Sequence, residues 1–309
     1  MSPVRLVTDA ALAHLRWGRP AAGRPPVLLL HGVGGGRGGW DGSAALLAAA
    51  GFELLAVDLP GYGLSPTISP YDLAGMADAV QRLVESLQAG PAIVVGHSMG
   101  GMVAQELAAR APQSLAGLVL AGTSPAFGQA DGLWQQDFLR ERFAPLDAGA
   151  GMAGLAAQLV PALAGPQATA ERLADAHMLM AAVPEATYRS ALRALLAFDR
   201  RADLPRIAVP TLVVTGEHDR TAPPDLARRM AGRIPGARLV TVAGAGHLLP
   251  IEAPQAFAAA LQPFLEGGWP GRAAGGVASA VARPPAGQPP GAGPPDTASA
   301  GAPPSRPTH

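Results

Sequence analysis

Short, continuous apolar runs recur along the chain and alternate with longer stretches that place apolar residues at helical spacing. Residues 27–30, 54–57, 93–95, 118–120, 212–214 and 239–242 read as buried strands, because each is a brief apolar run next to turn-forming residues. Two further segments, 4–8 and 12–17, read as an opening hairpin. Residues 73–87 bring Ala77, Val80, Leu83, Val84 and Leu87 onto one helical stripe, and helices are expected over 224–233 and 254–265. Strands alternating with helices in this way give an α/β fold, with a largely parallel sheet covered on both faces.

The rhythm changes between residues 124 and 203. There, helical segments at 134–143, 152–160, 170–181 and 185–198 follow one another with no strand between them. This stretch is expected to be a helical cap inserted into an α/β core formed by 1–123 and 204–266. From residue 267 the chain turns to Gly, Pro, Ala and Ser, and too little apolar side chain remains to offset the entropy of ordering. Residues 267–309 are therefore expected to be a disordered tail.

Composition narrows the chemistry. The 309 residues carry 23 basic and 23 acidic side chains, intermixed and summing to zero charge, so neither a nucleic-acid footprint nor a polybasic membrane patch is present. The absence of cysteine excludes disulfides, thiolate nucleophiles and cysteine-based metal sites. Every basic residue is Arg, which excludes a lysine Schiff base and a lysine-dependent phosphate loop. The longest apolar tract, 44–57, is interrupted by Gly51 and Glu53 and is too short to span a bilayer. The first residues lack the charged and apolar regions of a secretory signal, so a cytoplasmic protein is expected. No histidines stand at metal-ligand spacing, and neither a metal nor a cofactor is expected.

The reactive side chains fall in loops that directly follow strands, and in a parallel sheet those loops emerge together at the carboxyl edge. Gly96-His97-Ser98-Met99-Gly100 joins the strand at 93–95 to the helix-like segment beginning at Met102. Such a turn holds its serine in a strained conformation with the hydroxyl in the open, tolerated because the flanking glycines have no Cβ to collide. Ser98 is the candidate nucleophile. After 212–214 comes Gly216-Glu217-His218-Asp219, where Asp219 is the preferred carboxylate to orient a catalytic imidazole, with Glu217 and His218 as alternatives. After 239–242 comes Gly244-Ala245-Gly246-His247, and His247 is the candidate base, since imidazole ordinarily titrates near 6.5. His31-Gly32-Val33-Gly34-Gly35-Gly36 follows the strand at 27–30, and its open backbone suits an oxyanion hole made by the amides of Val33 and Met99, with Gly34 as the alternative to Val33. His31 is expected to hold its loop by hydrogen bonds, His97 to pack behind the serine, and Asp58 to brace its turn.

These stretches, with Asp58-Leu59-Pro60-Gly61-Tyr62-Gly63 and the run from Pro210 to Asp219, resemble the α/β-hydrolase superfamily, and in particular its small bacterial 3-oxoadipate enol-lactonase-like and carboxylesterase members. The resemblance spans roughly residues 4–265 and implies an eight-stranded, mostly parallel sheet with a helical cap between the sixth and seventh strands, and no cofactor. Ser98 stands where haloalkane dehalogenases and epoxide hydrolases carry aspartate, which disfavours those activities. The residue after His247 is Leu248 rather than the tryptophan common there in hydrolases of carbon–carbon bonds, which counts against that reading.

The function expected is hydrolysis of a small-molecule carboxylic ester or lactone through an acyl-enzyme intermediate on Ser98. Acyl transfer to an alcohol or amine, carbon–carbon bond hydrolysis, and a non-catalytic ligand-binding role on the same fold are the alternatives. Trp134, Phe138, Phe143, Met178 and Tyr188 in the cap are candidates for an apolar pocket wall. Oligomeric state is not legible in the chain.

Overall fold

The computed structural model describes residues 5–8, 11–20, 24–127, 132–267 and 279–282. Nine strands form one sheet within those residues: β1 (Arg5–Val7), β2 (His14–Trp17), β3 (Val27–Leu30), β4 (Leu54–Val57), β5 (Ala92–His97), β6 (Leu115–Ala121), β7 (Thr211–Gly216), β8 (Arg238–Val242) and β9 (Ser279–Ala282). Their order is β1-β2-β4-β3-β5-β6-β7-β8-β9. β1, β2 and β4 pair antiparallel, and every pairing from β4 to β9 is parallel. The chain runs outward from β3 to β4, then returns past β3 to β5, so strand order reverses between β3 and β5. The loops after those two strands diverge there and leave a crevice at the carboxyl edge.

β9 is a departure from the expected eight strands. It falls within the stretch read as a tail and extends the sheet beside β8, with Val240 opposite Ala280. Apart from Gly267 and these four residues, the tail lies outside the described residues.

Each central strand is buried on both faces, and alternation decides which helices its side chains meet. Leu28, Leu30, Leu55, Val57, Val94, Leu118 and Leu120 point to one layer. Val27, Leu29, Leu54, Ala56, Val95, Val119 and Val214 point to the other. The first layer holds α2 (Leu73–Ser86), α3 (Met99–Arg110) and α8 (Pro224–Ala231), and the second holds α1 (Asp41–Ala49) and α10 (Pro254–Leu265). α1 is absent from the sequence reading because its run of Ala and Leu shows little contrast between one face and the other. A single turn, α9 (Leu249–Glu252), precedes α10.

Between β6 and β7 lie four helices, α4 (Leu133–Asp147), α5 (Gly151–Leu163), α6 (Ala170–Ala181) and α7 (Glu185–Leu195). The two ends of this insertion are tied together where they leave the body: the Phe127 amide donates to the Phe198 carbonyl at 3.0 Å. Arg200 then anchors the exit to α3 by a two-pronged pair with the buried Glu106, at 2.9 and 2.6 Å. A forked guanidinium on a buried carboxylate fixes orientation as well as distance.

Candidate active site

Ser98 stands between β5 and α3 with φ at +53° and ψ at −117°, a conformation rarely adopted by a residue with a Cβ. The neighbouring glycines show why the turn is possible. A Cβ on Gly100 would lie 2.2 Å from the Leu30 carbonyl oxygen, and one on Gly96 would lie 2.3 Å from that of Gly100. Only glycine lets helix α3 approach β3 this closely. The strained residue is held by its own backbone: the Ser98 amide donates to the Ala121 carbonyl at 2.9 Å, and the Ser98 carbonyl accepts from the Thr123 hydroxyl at 2.7 Å.

His247, in the loop after β8, spans the gap to the serine. Its Nε2 is 3.1 Å from Ser98 Oγ, and its Nδ1 is 2.9 Å from Asp219 Oδ2. The Asp219 side chain is fully buried after β7, and its other oxygen accepts from the amides of Thr221 and Ala222 at 2.8 Å each. Burial alone would raise this carboxyl, but His247 and the two amides outweigh it and hold Asp219 below the usual carboxylate range. Asp219 is thus an anion aimed at one ring nitrogen. Of the alternatives, Glu217 turns away to accept from the Gly244 amide at 2.8 Å, and His218 is exposed.

The imidazole's own loop is held from three sides. The His247 amide donates to the Leu163 carbonyl at 2.7 Å, and its carbonyl accepts from His97 Nε2 at 2.6 Å. The buried Glu252 takes the Gly246 amide on one oxygen at 2.9 Å and the Gly165 amide of the helical insertion on the other at 2.7 Å. Burial pushes the Glu252 carboxyl up from its ordinary value while the amides oppose that push. His97 is therefore more than packing: burial, reinforced by His247, lowers it to about 3, so it is neutral and donates its Nε2 proton. No motif in the sequence announced this bond, since its acceptor is a backbone carbonyl 150 residues away.

The glycine loop after β3 lies against the serine, with a Cβ on Gly32 falling 3.1 Å from Ser98 Cβ. His31 fixes it as expected, donating from Nδ1 to the Gly32 carbonyl at 2.8 Å while Nε2 accepts from the Leu59 amide at 3.1 Å. The Val33 carbonyl accepts from the Tyr62 hydroxyl at 2.9 Å, which sets the plane of that peptide. Asp58 braces the turn through the backbone and guanidinium of Arg37 and the Leu64 amide.

Ser98, His247 and the glycine loop form the floor of a cavity of about 400 Å³ roofed by the helical insertion. Among the sequence candidates for its wall, Trp134, Phe138 and Tyr188 line it. Trp134 stacks on Phe138 with ring centroids 5.5 Å apart, and Tyr188 is fully buried. Phe143 and Met178 do not line it. Phe143 faces Arg189 and Arg193 on α7 instead, and Met178 is 62% exposed beside a separate depression. Met180, Leu159 and Leu192 fill the wall in their place, at helical phases that spacing alone did not assign.

A family model described as the alpha/beta hydrolase fold matches residues 25–254. Pimeloyl-(acyl-carrier protein) methyl ester esterase of Neisseria meningitidis is 31% identical over 268 residues, covering 78% of this chain and 93% of that protein. Among solved structures, the enol-lactonase from Burkholderia xenovorans matches with a TM-score of 0.72 at 27% identity, over 85% of this chain and all of its own. A thermophilic esterase from Thermogutta terrifontis matches with a TM-score of 0.74 at 26% identity, over 87% of this chain and all of its own.

Proposed function

We propose that this chain, which belongs to the α/β-hydrolase family, is a serine esterase that hydrolyses a small-molecule carboxylic ester or lactone. The observation that carries this reading is the single imidazole bridging Ser98 Oγ and the Asp219 carboxylate, at 3.1 and 2.9 Å. Asp219 accepts the Nδ1 proton, which leaves Nε2 as the lone-pair nitrogen facing the hydroxyl.

In the reaction, Ser98 Oγ adds to the acyl carbon as His247 Nε2 takes its proton. The oxyanion is held by the amides of Val33 and Met99: the first belongs to the Gly32–Val33 peptide, whose carbonyl accepts from His31 Nδ1 and the Gly35 amide, and the second opens helix α3, where backbone donors lack intrahelical acceptors. The intermediate collapses, His247 returns the proton to the departing alkoxide, and an acyl-Ser98 ester remains. Water then adds to that ester by the same route and releases the acid. The apolar cavity wall suits an acyl or alkyl chain. The proposed division of labour gives chemistry to the body and substrate choice to the insertion, acting as a cap over the carboxyl edge.

Turnover of a p-nitrophenyl acyl ester, measured beside Ser98→Ala, tests the reading. Hydrolysis by the wild-type chain that vanishes in Ser98→Ala is expected, and equal rates in both proteins would overturn it.

A further inference from the structure

Among the described residues, the cavity wall carries one permanently charged side chain. Of the described residues that line the cavity, Arg142 on α4 is the only arginine, and none is an aspartate or glutamate. Its guanidinium lies over the Phe138 ring, 4.8 Å from the centroid, which points the cation along the apolar wall.

The other arginines of the insertion are used differently. Arg140 pairs with Asp137, Arg172 with Asp175, Arg189 with both Asp147 and Glu185, Arg200 with Glu106 and Asp203, and Arg201 with Asp199. Arg193 stacks on Phe143, away from the cavity. Among the described residues Arg142, half-buried at the cavity wall, has no carboxylate within ion-pair distance, so no protein anion occupies its guanidinium donors. Tyr188, buried on the same wall, responds to that charge: burial pushes its phenol up to about 12, and Arg142 opposes the push.

A guanidinium set in an apolar wall, with no protein carboxylate on it, is complementary to an anionic group of a ligand, to which it can make charge-assisted, forked hydrogen bonds. We infer that the substrate is an ester bearing an anionic oxyacid group, a carboxylate or a phosphate, at the end of an apolar chain remote from the scissile bond, and that Arg142 binds that group. This inference rests on the esterase reading, and it adds the class of substrate. An anion bound away from the reacting carbonyl is held equally in ground and transition states, so its loss appears in KM rather than in kcat.

The test compares esters matched in length within one protein. Monomethyl esters of linear dicarboxylic acids of five to eight carbons supply the charged arm, methyl esters of the corresponding monocarboxylic acids the neutral arm, and methyl esters of ω-phosphooxy acids distinguish phosphate from carboxylate. Wild type should favour a charged arm in kcat/KM. In Arg142→Gln the charged-to-neutral ratio should fall about 10- to 100-fold, the range for a hydrogen bond to a charged group, with the loss in KM. Arg142→Lys should recover part of the ratio, and because the ratio is taken within each protein, partial misfolding cancels from it. Calorimetric binding of the same charged and neutral esters to Ser98→Ala and to Ser98→Ala/Arg142→Gln reads the preference without turnover. Ser98-dependent hydrolysis with no charged preference, or a ratio unchanged in Arg142→Gln, overturns the inference and leaves the esterase standing. A chain that hydrolyses no ester and binds charged and neutral esters alike overturns both.

Discussion

The floor and the roof of the cavity are built by different physics. On the floor, backbone groups and buried polar side chains are locked to one another: Ser98 by Ala121 and Thr123, His247 by Asp219, His97 and Leu163, and the glycine loop by His31 and Tyr62. Glycines allow approaches that no other residue permits. On the roof, side chains such as Leu159, Met180 and Leu192 meet the cavity by apolar contact, and among the described residues Arg142 is the charged exception. Proton transfer requires atoms placed to a few tenths of an ångström, which directional hydrogen bonds supply; a binding wall requires volume, which apolar side chains supply with more latitude.

If that contrast is correct, substitutions on the floor should cost orders of magnitude and those on the roof should redirect specificity. The largest effect belongs to Ser98→Ala and His247→Ala, each lowering kcat by about 10⁴–10⁶-fold, with the double variant little worse than either single one because the two act as a unit. Additive losses in steady-state kinetics would separate them. Asp219→Asn should follow at about 10⁴-fold. Its new amide would meet Nδ1 with a donor and force the wrong tautomer, whereas its remaining oxygen can still accept from Thr221 and Ala222. Glu217→Gln, assayed alongside, should stay close to wild type, and the reverse ranking would move the acid two residues upstream.

Stability offers a sharper probe of the floor. Gly100→Ala drives a Cβ into the Leu30 carbonyl, a backbone atom that cannot swing aside, and should destabilise the fold by about 1–3 kcal/mol in denaturant titration. The buried histidines give a smaller, pH-dependent effect. An unfolded histidine takes up a proton near 6.5, while His97 in the fold stays neutral down to about 3, so lowering the pH within that window favours unfolding. His31, also lowered by burial, acts in the same direction. Stability should therefore fall between pH 6.5 and 5, with His97 contributing up to about 1.4 kcal/mol per unit. His97→Gln should flatten that slope in melts run across the range; an unaltered slope would place the titration elsewhere.

The roof should yield the smallest change in rate and the clearest change in preference. Phe138→Ala enlarges the cavity wall and should shift the best chain length in an ester series while leaving the pH dependence of turnover in place, since no proton-transfer group is touched. A length profile unchanged in Phe138→Ala and Trp134→Ala would return specificity to the body loops.

The sequence by itself determined the alternation of strands and helices, the four-helix insertion before β7, and the order Ser98, Asp219, His247 in loops that follow strands. Those features are local: a buried strand must be apolar, and a strained turn must carry glycine. Tertiary structure decided which side chains of each loop face one another. Asp219, Glu217 and His218 are neighbours in the chain, yet only Asp219 meets the imidazole, because the other two project from the turn toward the Gly244 amide and solvent. Met178 and Met180 differ by about 200° around α6, so one lies outside and the other lines the cavity. The bonds from His97 to the His247 carbonyl and from Glu252 to the Gly246 and Gly165 amides join segments by backbone groups that every residue carries. Such bonds leave no compositional trace, and only the packed chain reveals them.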